Sequence, residues 1–410
     1  MFGTDGIRGK YGVSPITPAD FTLLGKAIGY VVQAGNEIYI GHDGRTSHQV
    51  LQSALTDALL ANGIHVKHCG LLPTPALAKL AEQDKVHAAM ITASHNPASD
   101  NGIKLFTPEG IKWDNKLQDK LAQALEKTYY TGPSGSVTTY EAQATSRYID
   151  YISTTHMGTD LTGLRIAIDC ANGATSKLAQ KLYHKTGAHI SCYHTSSGAC
   201  INKACGSTQP ESMIAVVQQG FDCALAFDGD GDRLVAIDET GTVLDGDDIL
   251  YILATQNNKK IDKVVTSVMS NAGLEQALQE KNIATQKVKV GDKHIYQALE
   301  EQQLTLGAEP SGHILYLPYA KSGDGLLAGL MLLQAMKSTG KKLSQLRSCW
   351  QRYPQRLVNL PQKCTNKTDS WVDYVSQIQT QNQAVNIILR ASQTEPLWRL
   401  KVEAHSLDIV

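Results

Sequence analysis

Three aspartates alternate with glycines in Asp228-Gly-Asp230-Gly-Asp232-Arg233, between the apolar runs 223–227 and 234–237. Such flanks predict a loop that joins two strands. Carboxylates that converge there repel one another by about 4 kcal/mol per pair at roughly 4 Å and an effective dielectric near 20, so a cation is their natural partner. Hard oxygen ligands select magnesium, calcium or manganese, and a site with few protein ligands and positions left for phosphate oxygens suits magnesium. An EF-hand is the rival, because Glu239 falls at loop position 12 counted from Asp228. It fails because Arg233 stands where the sharp turn wants glycine, and because strands rather than helices flank the loop. A solvated turn rich in Asp and Gly is the plain alternative.

A second segment, Thr92-Ala-Ser94-His95-Asn96-Pro97, follows an apolar run and precedes Asn101-Gly-Ile-Lys104. Strand ends that feed loops are where open α/β sheets place ligands. Ser94 is not set in a G-x-S-x-G elbow, and a lysine near a serine suits phosphoryl chemistry better than acyl transfer. By itself the segment reads equally as a serine-capped turn. In Glu309-Pro-Ser311-Gly-His313, acceptors and donors alternate in a way that could grip sugar hydroxyls. In Arg390-Ala-Ser392-Gln393-Thr394-Glu-Pro, with Arg399 beyond, two guanidinium groups and two hydroxyls surround one loop. Arginine forks match phosphate oxygens bidentately; a surface turn with ion pairs is the alternative.

The elements that must carry these loops follow from periodicity. Residues 38–42 read as a strand end, a helix capped by Ser47 runs to about residue 62, and a strand follows at 64–68. After Pro73, Pro75 and a short helix, residues 86–91 form a buried strand that enters the Ser94 loop. Comparable β-α-β units recur at 164–192, through Asn172-Gly173, and at 263–290, through Asn271. Beyond Trp350 the pattern changes to strands near 385–389 and 399–403. The expectation is an α/β protein: three related α/β domains with mixed sheets and a smaller C-terminal α+β domain around a central cleft. The expected divisions are 1–152 with the Ser94 loop, 153–252 with the aspartate loop, 253–349 with the Glu309 loop and 350–410 with the Arg390 loop.

Composition sets the outer limits. The 410 residues exceed one ordinary core and suggest two to four domains. With 42% hydrophobic and 19% charged residues the composition is that of a soluble globular chain. A formal charge of −1 offers no field for nucleic acid or anionic membrane. No apolar run reaches the roughly 18 residues of a membrane span, and the N-terminus lacks an apolar signal region, so a cytoplasmic location is expected. Eight cysteines without a C-x-x-C pair, of which Cys200 and Cys205 stand nearest each other, are expected as reduced thiols.

Taken together and in order, these segments resemble the α-D-phosphohexomutase family. Phe2-Gly-Thr-Asp-Gly-Ile-Arg8-Gly, Asp169-Cys-Ala-Asn-Gly-Ala174, Cys205-Gly-Ser-Thr208 with Pro210-Glu211, Asp228 to Arg233, and Ser322-Gly-Asp-Gly-Leu-Leu-Ala328 most resemble its bacterial phosphoglucosamine mutase branch. That branch interconverts glucosamine 6-phosphate and glucosamine 1-phosphate for amino-sugar nucleotide and cell-wall synthesis. The resemblance implies four domains, each giving one loop to a central cleft. It implies that Ser94 carries the phosphoryl group and that Asp228, Asp230 and Asp232 bind magnesium together with an oxygen of phosphorylated Ser94. Glu309 and Ser311 match the sugar-hydroxyl loop; Arg390, Ser392, Gln393, Thr394 and Arg399 match the loop that holds the non-reacting phosphate. Arg8, His95, Lys104, Arg233 and His313 match charged or proton-handling positions around the reacting centre.

The chain departs from that branch in three places. Pro310 stands where Gln is usual and matches related phosphoglucose and phosphomannose mutases, Gln393 replaces a Gly, and Lys293 replaces an Arg. A phosphoglucomutase or phosphomannomutase, or a sugar-phosphate-binding protein without turnover, is therefore the alternative. The implied route passes through a sugar 1,6-bisphosphate, which also serves as activator, with His313, His95 and Lys104 as candidate proton acceptors. A haloacid dehalogenase-like phosphatase would instead put the phosphoryl group on Asp228, but Asp232 stands where that motif wants Thr or Val. The expected partner is a small sugar phosphate, and the expected assembly a monomer or homodimer.

Overall fold

The computed structural model describes residues 5–125, 132–155, 160–256, 260–361, 374–375, 377–379, 385–391 and 397–406. Four sheets follow one another along the chain. The first contains β1 (Ile7–Lys10), β2 (Glu37–His42), β3 (His65–Leu71), β4 (His87–Ile91), β5 (Asp100–Phe106) and β6 (Val137–Thr139), in the order β1-β5-β4-β2-β3-β6. β2 pairs in parallel with β3 and β4, whereas β5 is antiparallel to both β1 and β4. The second sheet contains β7 (Arg165–Asp169), β8 (His189–Tyr193), β9 (Cys223–Phe227), β10 (Leu234–Asp238) and β11 (Val243–Leu244), in the order β11-β10-β9-β7-β8. The third contains β12 (Lys263–Ser267), β13 (Ala284–Val288), β14 (Leu306–Ala308) and β15 (Ile314–Tyr316), in the order β13-β12-β14-β15. Each of these two is parallel at one end and closes with an antiparallel edge.

The fourth sheet is different: β16 (Gln355–Pro361), β17 (Val385–Ala391) and β18 (Leu397–Ala404) are all antiparallel, with β18 in the middle. The mixed α/β character of three units and the change of build after Trp350 agree with the sequence reading. The helix expected after Ser47 spans His48–Ala61, but Ser47 makes no capping bond. Its hydroxyl instead accepts from Asn101 Nδ2 at 2.8 Å, so it braces the far side of the Ser94 loop.

One apolar cluster joins the first three units. It runs from Leu77 and Tyr148 through Ile168 and Leu225 to Leu250 and Leu332. The helix Gly325–Thr339 lies at its centre and is buried on nearly every face, which is why eleven of its residues are buried. Gly329 there allows a close approach: a Cβ would come 2.3 Å from the hydroxyl of Tyr183. The helices Glu141–Thr155 and Gly246–Thr255 cross the expected divisions at 152/153 and 252/253 and so connect neighbouring sheets. No described residue of the fourth sheet belongs to the apolar clusters. Among the described residues no helix is long and apolar enough to cross a membrane.

Candidate functional site

The Asp228–Arg233 segment is the tight turn between antiparallel β9 and β10, whose pairing begins at Phe227 and Leu234. Gly231 takes φ +72°, a left-handed conformation that glycine adopts without cost. All three aspartates are buried, and one ligand atom from each lies within 4.8 Å of the others. The nearest neighbours are polar and come from the first unit. Lys104 Nζ, from β5, donates to Asp230 Oδ2 at 2.7 Å and to Asp232 Oδ2 at 2.6 Å. Thr74 Oγ1 donates to Asp230 Oδ2 at 2.5 Å, and Ser94 Oγ donates to Asp228 Oδ2 at 2.6 Å.

Electrostatics divides the three carboxylates. Burial, then the charges of Asp232 and Asp230, push Asp228 up to about 7. Asp232 is buried too, yet Lys104 and His313 outweigh desolvation and hold it well below the usual carboxylate range. Lys104 would be lowered by burial, but Asp230, Asp232 and Asp5 raise it, so it stays charged. Among the buried oxygens, Asp230 Oδ1 accepts no hydrogen bond, and Asp232 Oδ1 faces only the His313 ring, 3.2 Å away. Buried carboxylate oxygens left over in this way, beside a third carboxylate, fit a hard divalent cation. The donor set is all oxygen, as magnesium requires.

Ser94 follows β4 and is itself fully buried. Arg8, His95, Arg233 and His313 act on one another and on the neighbouring aspartates. Arg8 pairs with Asp5, and Arg233 Nε lies 3.9 Å from Asp228 Oδ2. His95 is pushed down to about 2 by burial, then by Arg233, Arg8 and His313, so its ring is neutral. His313 goes the other way. Burial would lower it, but Asp232 and Glu309 raise it to about 10 despite the charge of Arg233. Its Nε2 is 3.2 Å from Asp232 Oδ1 and its Nδ1 is 3.2 Å from Glu309 Oε2.

The Glu309 loop docks directly on the aspartate turn. Leu234 N–H donates to Gly312 O at 2.9 Å, and Arg233 and His313 form an isolated bridge. Glu309 Oε1 also accepts from Gly291 N–H at 2.8 Å, and Ser311 Oγ lies 3.3 Å from His313 Nδ1. Lys293, one of the departures from the phosphoglucosamine branch, donates to Asn115 Oδ1 at 2.9 Å.

Arg390 and Arg399 occupy directly opposite positions on β17 and β18. Like charges at facing positions of an antiparallel pair are destabilising, and an anion between them removes that cost. Burial and Arg399 push Arg390 below its usual range, whereas Glu309 acts in the opposite sense. Arg390 also lines a cavity of about 630 Å³ between β13 and β17, together with Lys287 and Lys289. Ser392, Gln393 and Thr394 lie outside the described residues, as do residues 2–4 of the N-terminal motif.

Several site residues escape sequence reasoning. Asp5 lies within the opening motif, whose pattern gives it no role; it meets Arg8 and Lys112, and it lies 3.5 Å from Lys104. Lys112, which has no motif, bridges Asp5 to Asp292 of the third unit, at 2.7 Å from the latter. A second cluster, Asp169, His194 and Cys205, also falls within 4.8 Å. There Asp169 accepts from the N–H groups of Ala171 and Gly206 at 2.9 and 2.7 Å, so it fastens backbone loops together. The cysteines among the described residues are free thiols.

The phosphoglucomutase/phosphomannomutase family matches the chain in three parts: alpha/beta/alpha domain I at residues 1–131, domain II at 146–241 and domain III at 245–353. Phosphoglucosamine mutase of Acinetobacter baumannii is 41% identical over 98% of this chain and 94% of its own length. Phosphoglucosamine mutase of Thermus thermophilus is 39% identical over 98% of this chain and 93% of its own. Among solved structures, a phosphoglucomutase/phosphomannomutase family protein of Burkholderia thailandensis superposes with a TM-score of 0.82 at 23% identity, covering 100% of this chain and 95% of that one. Aspergillus fumigatus N-acetylphosphoglucosamine mutase, in complex with GlcNAc-6P and magnesium, superposes with a TM-score of 0.66 at 15% identity, covering 99% and 92%. With its fold, its buried aspartate turn and near-full-length relatives all in agreement, the chain belongs to the phosphoglucomutase/phosphomannomutase family of phosphohexomutases and is an isomerase.

Proposed function

We propose that the chain interconverts glucosamine 6-phosphate and glucosamine 1-phosphate through phosphorylated Ser94 and a sugar 1,6-bisphosphate. The observation that carries the reading is Ser94 Oγ at 2.6 Å from Asp228 Oδ2, at the edge of three buried carboxylates, two of them held by Lys104. In the first half-reaction the P–O bond to Ser94 breaks and a P–O bond to the free sugar hydroxyl forms. The hydroxyl proton passes to a base; of the three candidates His95 is neutral as it stands, whereas Lys104 and His313 are held protonated by their carboxylate partners and would first have to release a proton. The bisphosphate then reverses end for end and returns its other phosphoryl group to Ser94. Magnesium on Asp228, Asp230, Asp232 and an oxygen of phosphorylated Ser94 would neutralise charge on the transferring phosphoryl oxygens.

The protein's own residues do the rest. Lys104 and Arg8 add positive charge beside the reacting centre, where developing negative charge is best stabilised by groups already in place. Glu309 and Ser311 orient the ring through its hydroxyls. Arg390 and Arg399, with Ser392, Gln393 and Thr394, hold the phosphate that is not reacting and must accept it from either end of the sugar. Phosphate is therefore recognised more strictly than the ring. Unphosphorylated enzyme needs a sugar 1,6-bisphosphate to prime Ser94. We assign the enzyme to the cytoplasm, as a monomer or homodimer without nucleic-acid or membrane partners, and retain four domains at 1–152, 153–252, 253–349 and 350–410.

A panel of glucosamine, glucose, mannose and N-acetylglucosamine phosphates, assayed with magnesium and a bisphosphate primer, tests the substrate. Glucosamine phosphate is expected to give the highest kcat/KM. Preference for glucose or mannose phosphate would favour the second reading, to which Pro310 points. Binding without turnover of any of the four would reduce the protein to a sugar-phosphate sensor.

A further inference from the structure

Ser94 takes φ +51°, in the left-handed region. For a residue with a side chain this conformation is strained, and it persists only where the surroundings fix it. Glycine would relieve the cost but would lack the hydroxyl. What fixes Ser94 is a set of residues that never touch that hydroxyl.

Arg45 is completely buried, and so is its partner Asp43, whose Oδ2 accepts from Arg45 Nε at 2.9 Å. Arg45 Nη2 donates to the carbonyls of Ser94 and Asn96, both at 2.9 Å, and Nη1 donates to Asp100 O at 2.9 Å and to Pro97 O. Asp43 Oδ2 also accepts from Thr92 Oγ1 at 2.6 Å, and Thr92 Oγ1 in turn accepts from Ser94 N–H at 2.8 Å. A single ion pair thus reaches both the N–H and the carbonyl of Ser94. From the second unit, Asn202 Nδ2 donates to the same two carbonyls, Ser94 at 2.7 Å and Asn96 at 3.0 Å. Asn202 N–H is anchored on Ala171 O at 2.9 Å. The aspartate turn closes over this arrangement: a Cβ on Gly229 would come 2.7 Å from Ser94 O and 2.9 Å from Asn202 Nδ2.

We infer that Arg45, Thr92 and Asn202 form a two-unit clamp of positioning residues, which holds the Ser94 backbone still while its hydroxyl gains and loses a phosphoryl group. The inference rests on Ser94 as the phosphoryl carrier. A phosphoserine adds about −1.5 to −2 charges. That charge comes and goes in every cycle, and the hydroxyl must stay in place while it does. The clamp acts through backbone carbonyls and an N–H, so it does not compete for the phosphoryl oxygens. It also ties the loop to the turn across the boundary between the first two units, which neither segment achieves alone.

The test compares Asn202→Ala, Thr92→Val, Thr92→Ser and Arg45→Lys in the full-length, magnesium-loaded enzyme. The readouts are kcat, KM, the single-turnover rate of phosphoryl loss from Ser94 and the thermal midpoint. Displacing a reacting atom by about 1 Å costs about 10²-fold in rate. Asn202→Ala and Thr92→Val are therefore expected to lower kcat and the single-turnover rate by about 10–100-fold, with KM within about twofold. Thr92→Ser, which keeps the hydroxyl, should recover most of the rate that Thr92→Val loses. Arg45→Lys keeps the charge but loses the fork and should resemble Thr92→Val. Should Arg45→Lys fail to fold, the Thr92→Val and Thr92→Ser pair still decides the question, because Asn202 has φ +56°, where alanine also strains the backbone. Wild-type single-turnover rates in folded Asn202→Ala and Thr92→Val overturn the clamp, as does a Thr92→Ser enzyme no faster than Thr92→Val. Ser94→Ala separates the two levels. If it still turns over, the phosphoserine reading falls; if it is inactive while the clamp variants run at full rate, only the clamp falls.

Discussion

At the aspartate turn, opposite charges meet inside the protein: three buried carboxylates face Lys104, His313 and the Ser94 hydroxyl. At the fourth sheet, like charges meet near the surface, because Arg390 and Arg399 stand across from each other on β17 and β18. The supports differ as well. The turn sits on strands whose side chains enter the continuous apolar core, including Leu225 and Phe227. The arginine pair is carried by a sheet fastened to the third unit through polar links. Lys401 Nζ donates to Met269 O at 2.9 Å and Ser270 O at 3.0 Å, Glu403 Oε1 accepts from Ala272 N–H at 2.6 Å, and Asn271 Oδ1 accepts from Tyr353 N–H at 2.9 Å. The difference separates two tasks. Bond making needs groups fixed in advance in a dry site, whereas holding a phosphate that arrives from either end needs guanidinium forks that match phosphate oxygens.

The largest effect that could break this contrast lies at the turn. Asp232→Asn should lower kcat by about 10²–10³-fold, the loss typical of removing one preorganised electrostatic group, and should weaken magnesium binding measured by calorimetry. Chelation of metal from the unaltered enzyme should stop turnover, and added magnesium should restore it. Retained activity in both experiments would mean that the turn does not serve the chemistry. At the other end, Arg390→Ala removes a charged hydrogen bond valued at about 1.5–3 kcal/mol, a factor of about 10–150, expected mainly in KM. A loss confined to kcat would move Arg390 to the chemical step and erase the division of tasks.

Two smaller effects sharpen the comparison of supports. Lys401→Met leaves Glu403, its partner at 2.7 Å, buried without a counter-charge. Such an uncompensated charge costs about 3–5 kcal/mol. The fourth sheet should then melt before the rest in a calorimetric scan, with KM raised severalfold and the single-turnover rate at Ser94 little changed. Inside the main body, Asp324 caps the helix Gly325–Thr339 and accepts from Tyr148 Oη at 2.6 Å. Burial raises it to about 6, so its folded form favours the proton; that stability is complete below the unfolded value of 3.8 and is lost as pH rises through about 6. Asp324→Asn should not show this loss. Between pH 4 and 8 the stability of the unaltered protein should fall relative to the variant by about 3 kcal/mol, at about 1.4 kcal/mol per pK unit. Parallel denaturation midpoints across that range would remove Asp324 as a source of the slope.

What was legible in the chain were the places where chemistry and chain neighbourhood coincide. The Asp-Gly alternation announced a turn because its glycines, spacing and flanking apolar runs all lie within one short segment. Alternating and buried runs likewise marked β4, β7 and β12. The loop of Ser94 was visible as a strand end. Arg45 was not, because its bonds go to main-chain carbonyls 49 to 55 residues away, and any residue type could have supplied those acceptors. Asn202 acts on Ser94 from 108 residues away, and Lys112 reaches Asp292 across 180. Ser47 looked like a helix cap, but a cap bond and a brace for Asn101 demand the same hydroxyl, and packing chose the second.

By itself, then, the sequence determined the acidic turn, the serine loop, the basic strand loop and the repeated α/β units, since each is encoded by residues close together along the chain. Tertiary structure alone decided which carboxylate meets Lys104, that His313 is charged while His95 is neutral, and that a buried ion pair and an asparagine from another unit grip Ser94. The physical reason is that charge states and hydrogen-bond partners depend on distance and desolvation in space, and separation along the chain records neither.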